Sequence, residues 1–524
     1  MNESPDVTMA DFEENAPSNE SEPEEIAQVQ LRSGPESSKQ TMMRGLEEMQ
    51  LLDEDVKHLG EDGVINPLVI LASGDAKSRE LAFSVMAKLC TSFENKRLIV
   101  EAGAVSLILE QISSPQVSPI IREKCSGIFE KLTSSGLEFL NGTGIVLPPQ
   151  ELMITNLIAV FETSGTSIGV RKPAFRALLS LCKSAKVAAD NAIASQNGLS
   201  IILPLLEDSD KEIQKLALEL IHQFSQNESS RIADFLLDGS RLETFMPFLE
   251  DESQPELQLL AVELLANLQK SNIELIKGLA QSGAIPLILN ILSRGTMEAK
   301  ENVLDLLVGF MNPADIDMQK RLVESGAYPL LVNILISGSK TAKARAAALI
   351  SDLSSNSLKL TKAPNRTGCF CFFRKKVPTC EVHGGICSVE SSFCLLKADA
   401  LTPLINLLHE RDDAVKLKAI LALKTLVQGI GSRGVIFMHR FKAIKPMLDV
   451  LREENPALKE EVLEMLEMLF KVREVLDCYT DDVKIPLIHL SAYRSGNTND
   501  HLRIKAAKLL ADLELYSKSG SLPL

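Results

Sequence analysis

Along most of the chain one pattern of apolar and polar positions repeats. A small or polar residue and Gly open a short apolar run that closes on Leu-Leu or Leu-Val. A polar loop follows, then a longer segment whose apolar residues recur at three- and four-residue spacings. The opening reads Asp62-Gly63-Val64-Ile65-Asn66-Pro67-Leu68-Val69, returns as Ala102-Gly103-Ala104-Val105 and Asn197-Gly198-Leu199, and recurs as Ser282-Gly283-Ala284-Ile285-Pro286-Leu287-Ile288 and Ser325-Gly326-Ala327-Tyr328-Pro329-Leu330-Leu331. Weaker copies sit at Gly239, Asp399, Lys442 and Lys484, and a degenerate one spans Met153 to Phe161. The Gly suits a left-handed cap that ends one helix, and the Pro suits the first turn of the next. The longer segments predict amphipathic helices over Arg79 to Leu89, Arg171 to Leu181, Glu212 to Phe224, Glu256 to Leu268, Ala342 to Leu353, Val415 to Leu426, Glu461 to Phe470 and Ile504 to Leu513. Small residues at Ala261, Ala346, Ala422 and Ala506 leave room for close helix crossings.

Successive anchors lie 40 residues apart (63 to 103), then 41 (198 to 239), 44 (239 to 283) and 43 (283 to 326, and again 399 to 442). That period and the short-helix, Gly-turn, long-helix order resemble the armadillo repeat. The fold class expected is therefore all-α: an armadillo-repeat right-handed α-solenoid of about ten repeats, covering roughly residues 45 to 515, in which each repeat contacts its neighbours. A disordered acidic tail precedes it. Residues 1–40 hold ten acidic and two basic residues among Ser, Pro, Asn and Gln, too little apolar surface to offset chain entropy. The expected organisation is this tail, repeats over 41–354, an insertion over 355–394, repeats over 395–515 and a flexible end over 516–524.

Composition narrows the function. Of 524 residues, 55 are Lys or Arg and 70 are Asp or Glu, a net charge of −15, the wrong sign for a protein that neutralises phosphates; nucleic acid is not an expected partner. Aromatics are only 4% and Trp is absent, so Leu, Ile, Val, Ala and Met must fill the core. Armadillo import receptors resemble one another in a Trp and Asn ladder that binds basic peptides, and this chain has no Trp for one. Adhesion-type members present a basic groove, and no evident row of Lys or Arg matches it. The N-terminus is acidic rather than basic-then-apolar, and the nine cysteines are an odd, scattered set. Reduced thiols in the cytoplasm or nucleus are expected.

The interval from 326 to 399 is 73 residues where about 43 are expected, and five of the nine cysteines lie inside it. It contains Gly368-Cys369-Phe370-Cys371-Phe372-Phe373-Arg374-Lys375-Lys376, then Cys380-Glu381-Val382-His383-Gly384-Gly385-Ile386-Cys387-Ser388-Val389, then Phe393-Cys394-Leu395 leading back into a repeat. Three readings stand side by side. Cys369, Cys371, Cys380, His383 and Cys387 supply enough soft ligands for a tetrahedral zinc site. Alternatively Cys369 and Cys371 are acylated, and with the basic cluster hold the protein at an anionic membrane. Or all are reduced thiols in a loop, with Cys394 a helix core residue.

The run His383 to Val389 followed by Phe393-Cys394-Leu395 looks like an insertion in the armadillo regions of plant U-box ubiquitin ligases, in particular their long-array members linked to senescence and stress. The resemblance implies a surface that binds ligase substrates. A U-box itself usually carries a Cys-Pro-Ile opening and a later Gly-x-Thr-Tyr-x-Arg segment, and neither string occurs here. The leading expectation is a non-enzymatic scaffold that binds proteins on the concave face of the array, ligase components or their substrates among them. A direct part in ubiquitin transfer and a peripheral plasma-membrane adaptor are the alternatives. Two motif matches are set aside as inter-helix turns: Gly429-Ile430-Gly431-Ser432-Arg433-Gly434 follows a helix rather than a strand, and Gly165-Thr166-Ser167-Ile168-Gly169 has no ordered acid and base partners.

Overall fold

A computed structural model describes residues 23–136, 147–163, 165–195, 197–239, 241–270, 272–311, 315–363, 379–389, 392–428, 431–492 and 500–519. Among them helices dominate and no strand forms; an isolated antiparallel bridge joins Lys362 to Ile386. The chain divides into two compact units, Met1–Ile232 and Ala233–Leu524. In the first unit the long helices Ala76–Leu89, Pro119–Thr133, Ile168–Ser184 and Lys211–Phe224 pack in series. In the second, Pro255–Leu268, Met297–Val308, Lys340–Ser354, Asp413–Gln428, Pro456–Leu469 and Asp500–Ser519 do the same. Each unit is thus an all-α solenoid stack, as the period predicts. The predicted alanines at the crossings, Ala261, Ala346, Ala422 and Ala506, are all fully buried.

The repeat has a local physical cause at each joint. Polar loops end in side chains that cap the long helices: Asp75 accepts from the Lys77 and Ser78 amides at 2.9 and 3.1 Å, Thr296 from Ala299 at 3.2 Å, and Ser339 from Ala342 at 3.0 Å. The anchors are left-handed residues: Gly63, Gly103, Gly239, Gly283 and Gly326 have φ between +63° and +89°. Asp399 and Lys442 take the same conformation without being glycine, at φ +54° and +60°. At both, paired bonds close the turn: Asp399 donates to Leu396 and Ala400 to Leu395, while Lys442 donates to His439 and Ala443 to Met438.

Five expectations are corrected. Residues 23–40, assigned to a disordered tail, are helical in Pro23–Ser33 and Glu36–Glu48, because Ala27, Leu31, Met42, Met43 and Leu46 form a sparse apolar stripe that is buried. At the third copy Asn197, φ +52°, is the left-handed residue, and Gly198 is already helical. Lys484 anchors no turn, since Arg473–Ala492 runs through it as one helix. At the end, residues 516–519, expected to be flexible, continue the helix Asp500–Ser519. The insertion does not divide the array either: Lys340–Ser354 packs directly on Asp413–Gln428 across it, and the division into units falls at 232/233. No single helix among the described residues is long and apolar enough to cross a membrane.

Candidate metal centre and the long-helix faces

The long helix Lys340–Ser354 is followed by one turn, Ser357–Leu360, where other repeats place a full short helix such as Ile273–Gln281 or Ile316–Glu324. The Cys-rich segment takes the remaining space. Residues 380–385 close a tight turn, with the Cys380 amide donating to the Gly385 carbonyl at 2.7 Å and the Gly384 amide to the Cys380 carbonyl at 2.8 Å. Gly384 is left-handed, φ +71°. Gly385 lies so close to the preceding strandlike pair that a Cβ there would sit 2.4 Å from Thr361 Cγ2 and 2.6 Å from the Lys362 carbonyl oxygen. Lys362 and Ile386 then exchange amide bonds at 3.3 and 2.7 Å. This bridge carries His383 and Cys387 alongside Ser357 and Thr361.

The chain returns through Ser392, whose hydroxyl accepts from the Ser388 amide at 2.9 Å and donates to the Ser388 carbonyl at 2.7 Å. Phe393 is buried in a left-handed conformation, φ +51°, and delivers Cys394 into the turn. Cys394 is therefore not in a helix, contrary to its assignment as a helix core residue; it is buried beside the other thiols. The ligand atoms of Cys380, His383, Cys387 and Cys394 all lie within 4.8 Å of one another. His383 Nδ1 is 3.2 Å from Cys387 Sγ and 3.7 Å from Cys380 Sγ, and Cys380 Sγ is 3.8 Å from Cys394 Sγ. On the far side of the ring, His383 Nε2 faces Ser357 Oγ at 3.1 Å, and Thr361 Oγ1 is 3.3 Å from Cys387 Sγ.

The contact with Cys394 holds the Cys387 thiol well below the usual thiol range, helped by His383, Thr361 and Ser392, while burial opposes the shift. The same pairing, together with burial, pushes Cys394 far above the usual thiol range. Cysteines elsewhere differ in kind. Burial among apolar side chains pushes Cys90 up to about 11 and Cys182 up to about 12, so these are protonated core thiols. Of the five residues expected to bind metal, three come together. Cys369 and Cys371, and with them the acylation reading, lie outside the described residues. The signal for the fourth member was the spacing Cys380-x2-His383-x3-Cys387-x6-Cys394, masked because Cys394 abuts the apolar Leu395-Leu396 pair of the next repeat.

A second feature runs along the stacked long helices of each unit. Basic side chains reach across to acids of the neighbouring helix: Lys172 to Asp210 at 2.9 Å and Arg176 to Glu130 at 3.1 Å in the first unit. In the second, Arg345 meets Asp305 at 2.8 Å, Lys424 meets Glu461 at 2.7 Å and Glu464 at 2.6 Å, and Lys505 meets Glu464 at 2.7 Å. These cations are already paired within the stack. The two rejected motifs are turns as expected: Gly165 is left-handed between Gln150–Glu162 and Ile168–Ser184, and Gly431 precedes the helix Ser432–Arg440.

Comparison with known proteins agrees with this architecture. No protein-family model matches the chain. U-box domain-containing protein 43 of Arabidopsis thaliana is 23% identical over 482 residues, covering 85% of this chain and 59% of that protein. U-box domain-containing protein 24 of Oryza sativa subsp. japonica is 24% identical over 524 residues, covering 90% of this chain and 63% of that protein. The chain spans about three fifths of the length of these curated relatives. Among solved structures, a chain from work on a phosphorylation switch controlling the interaction between cadherin and beta-catenin superposes with a TM-score of 0.63 at 14% identity, covering 94% of each chain. An engineered protein superposes at 0.57 with 18% identity, covering 85% of this chain and 98% of the other. The chain is thus an armadillo-type all-α repeat protein whose sequence resembles the plant U-box proteins over most of its own length.

Proposed function

We propose that this chain is a scaffold that binds protein partners along the faces of its stacked long helices, and that it acts in ubiquitin signalling beside U-box proteins. The observation that carries the reading is the unbroken series of long helices within each unit, an extended surface of the kind on which helical repeats recognise ligands. Relatives named for a U-box supply the ubiquitin connection. Because several cations on these faces, Arg176, Arg345 and Lys424 among them, are already paired with carboxylates, recognition rests on a mosaic of side chains. Partner affinity then depends only weakly on salt.

The test is affinity capture of the intact protein from its native cells, compared quantitatively with Arg345→Glu/Lys418→Glu on two adjacent long helices. Lys320→Glu on the short helix Ile316–Glu324 serves as control. Enrichment of ubiquitin-conjugating enzymes, U-box ligases or their substrates, lost in the double variant and kept in the control, supports the reading. An identical set of bound proteins for all three removes the long-helix face from it. Ubiquitin transfer by the purified chain with a conjugating enzyme would replace the scaffold by a ligase.

A further inference from the structure

We propose that Cys380, His383, Cys387 and Cys394 hold one structural zinc ion, bound by three thiolates and His383 Nδ1, and that this ion stands in for the truncated first helix of its repeat. The site is independent of which proteins the scaffold binds.

Three of the six separations between ligand atoms lie near tetrahedron edges, and all six are within 4.8 Å. With Zn–S near 2.3 Å and Zn–N near 2.0–2.1 Å, tetrahedral geometry places sulfurs about 3.8 Å apart and a sulfur and nitrogen about 3.6 Å apart. The observed Cys380–Cys394 separation is 3.8 Å, and the two sulfur–nitrogen separations are 3.7 and 3.2 Å. A disulfide fits none of this, since its sulfurs are about 2.05 Å apart. Three sulfurs and one imidazole are a soft, closed donor set with no open position, the signature of a structural rather than a catalytic zinc.

The surroundings are arranged as metal ligands require. Ser357 Oγ can accept a hydrogen bond from His383 Nε2–H at 3.1 Å, which leaves the Nδ1 lone pair directed at the three sulfurs. The Thr361 hydroxyl, which donates to the Ser357 carbonyl at 2.9 Å, lies 3.3 Å from Cys387 Sγ and fixes that sulfur in place. Three thiolates and a neutral imidazole around a divalent ion leave a centre of net charge −1, close to the Arg433 guanidinium that packs against Gly384.

The fold also explains why a metal is needed there. This repeat keeps four residues of its short helix, where Ile273–Gln281 and Ile316–Glu324 have nine. One turn buries too little apolar surface to hold the returning segment, and a coordinated ion supplies the cross-link. The segment is tied to the repeats on both sides: the Phe393 carbonyl to Tyr328 at 3.1 Å, and Glu381 to Arg440 at 3.2 Å.

The experiment is metal analysis of the full chain, purified under reducing conditions without chelator, and cobalt substitution of the stripped protein. About one zinc per chain is expected, with the visible bands of tetrahedral cobalt and charge-transfer intensity matching three thiolates. Cys394→Ser should lose at least tenfold in metal affinity, whereas Cys369→Ser/Cys371→Ser and His383→Cys, which preserve four soft ligands, should keep full occupancy. Wild-type protein that takes up neither metal overturns the proposal. So does a Cys394→Ser protein with undiminished zinc, which would place the ion among other cysteines. Should Cys394→Ser fail to fold, the wild-type cobalt spectrum decides alone: fewer than three thiolate ligands refutes the site.

Discussion

Tyr328 donates its phenolic hydrogen to the carbonyl oxygen of Phe393 across 3.1 Å, although the two residues lie 65 apart in sequence. Both are buried, and the Ser354 hydroxyl is the second partner of the phenol. One aromatic residue of an ordinary repeat thus fixes the backbone that delivers Cys394. Tyr328→Phe keeps the ring but strands the Phe393 carbonyl and the Ser354 hydroxyl in the interior. Such loss costs about 1–3 kcal/mol. Urea denaturation should show the drop, together with faster proteolysis between residues 360 and 400; an unchanged midpoint would show that water reaches these groups.

The left-handed joints make a paired prediction. Nothing lies within 4 Å of a Cβ added at Gly326, so Gly326→Ala isolates the backbone cost of φ +89° and should destabilise by about 1 kcal/mol. Lys442 already bears that cost at φ +60° and is exposed, so Lys442→Gly should stabilise by up to about 1 kcal/mol. Thermal melts of the two variants moving in the same direction would contradict the assignment of both as helix-ending turns.

Glu464 accepts from Lys424 at 2.6 Å and from Lys505 at 2.7 Å, and these two ammonium groups hold its carboxyl at about 2 against an ordinary 4.5. A folded value below the unfolded one means that the stabilisation is complete above about pH 4.5 and is lost as pH falls towards 2. With Glu464 37% exposed, solvent screening reduces the effect to about 1 kcal/mol. Glu464→Gln should therefore melt earlier than wild type at pH 7, with the gap narrowing below about pH 4.5 and closing only towards pH 2. A gap that persists at low pH would point to packing instead of charge.

Gly385→Ala would drive a methyl group into Thr361 and the Lys362 carbonyl, neither of which can yield without opening the Lys362–Ile386 bridge. Overpacking of this kind costs about 1–3 kcal/mol. Hydrogen exchange should show loss of protection confined to residues 357–362 and 379–389, with the stacked long helices unaffected. Protection lost evenly along the chain would mean that the insertion is integral to the stack.

The period of the apolar pattern determined, by itself, that the chain is an armadillo-type array, because each joint is specified locally. A left-handed residue ends one helix, a polar cap starts the next, and alanine marks the crossing; every long helix expected from the spacing is present. Helices with weak stripes were less legible. Ala27 and Leu31 sit in an acidic segment that reads as disordered, and only the neighbouring repeats supply the apolar surface that makes Pro23–Ser33 worth forming. The Cys-rich segment shows the same limit. Spacing singled out Cys369, Cys371, Cys380, His383 and Cys387, of which the last three come together, but the fourth member of their cluster depends on a left-handed Phe393 and a tyrosine hydrogen bond from 65 residues away. Local pattern decides helix and turn because the forces involved span three or four residues. Which thiols share a site was decided by tertiary contacts, since those alone determine how a returning chain is aimed.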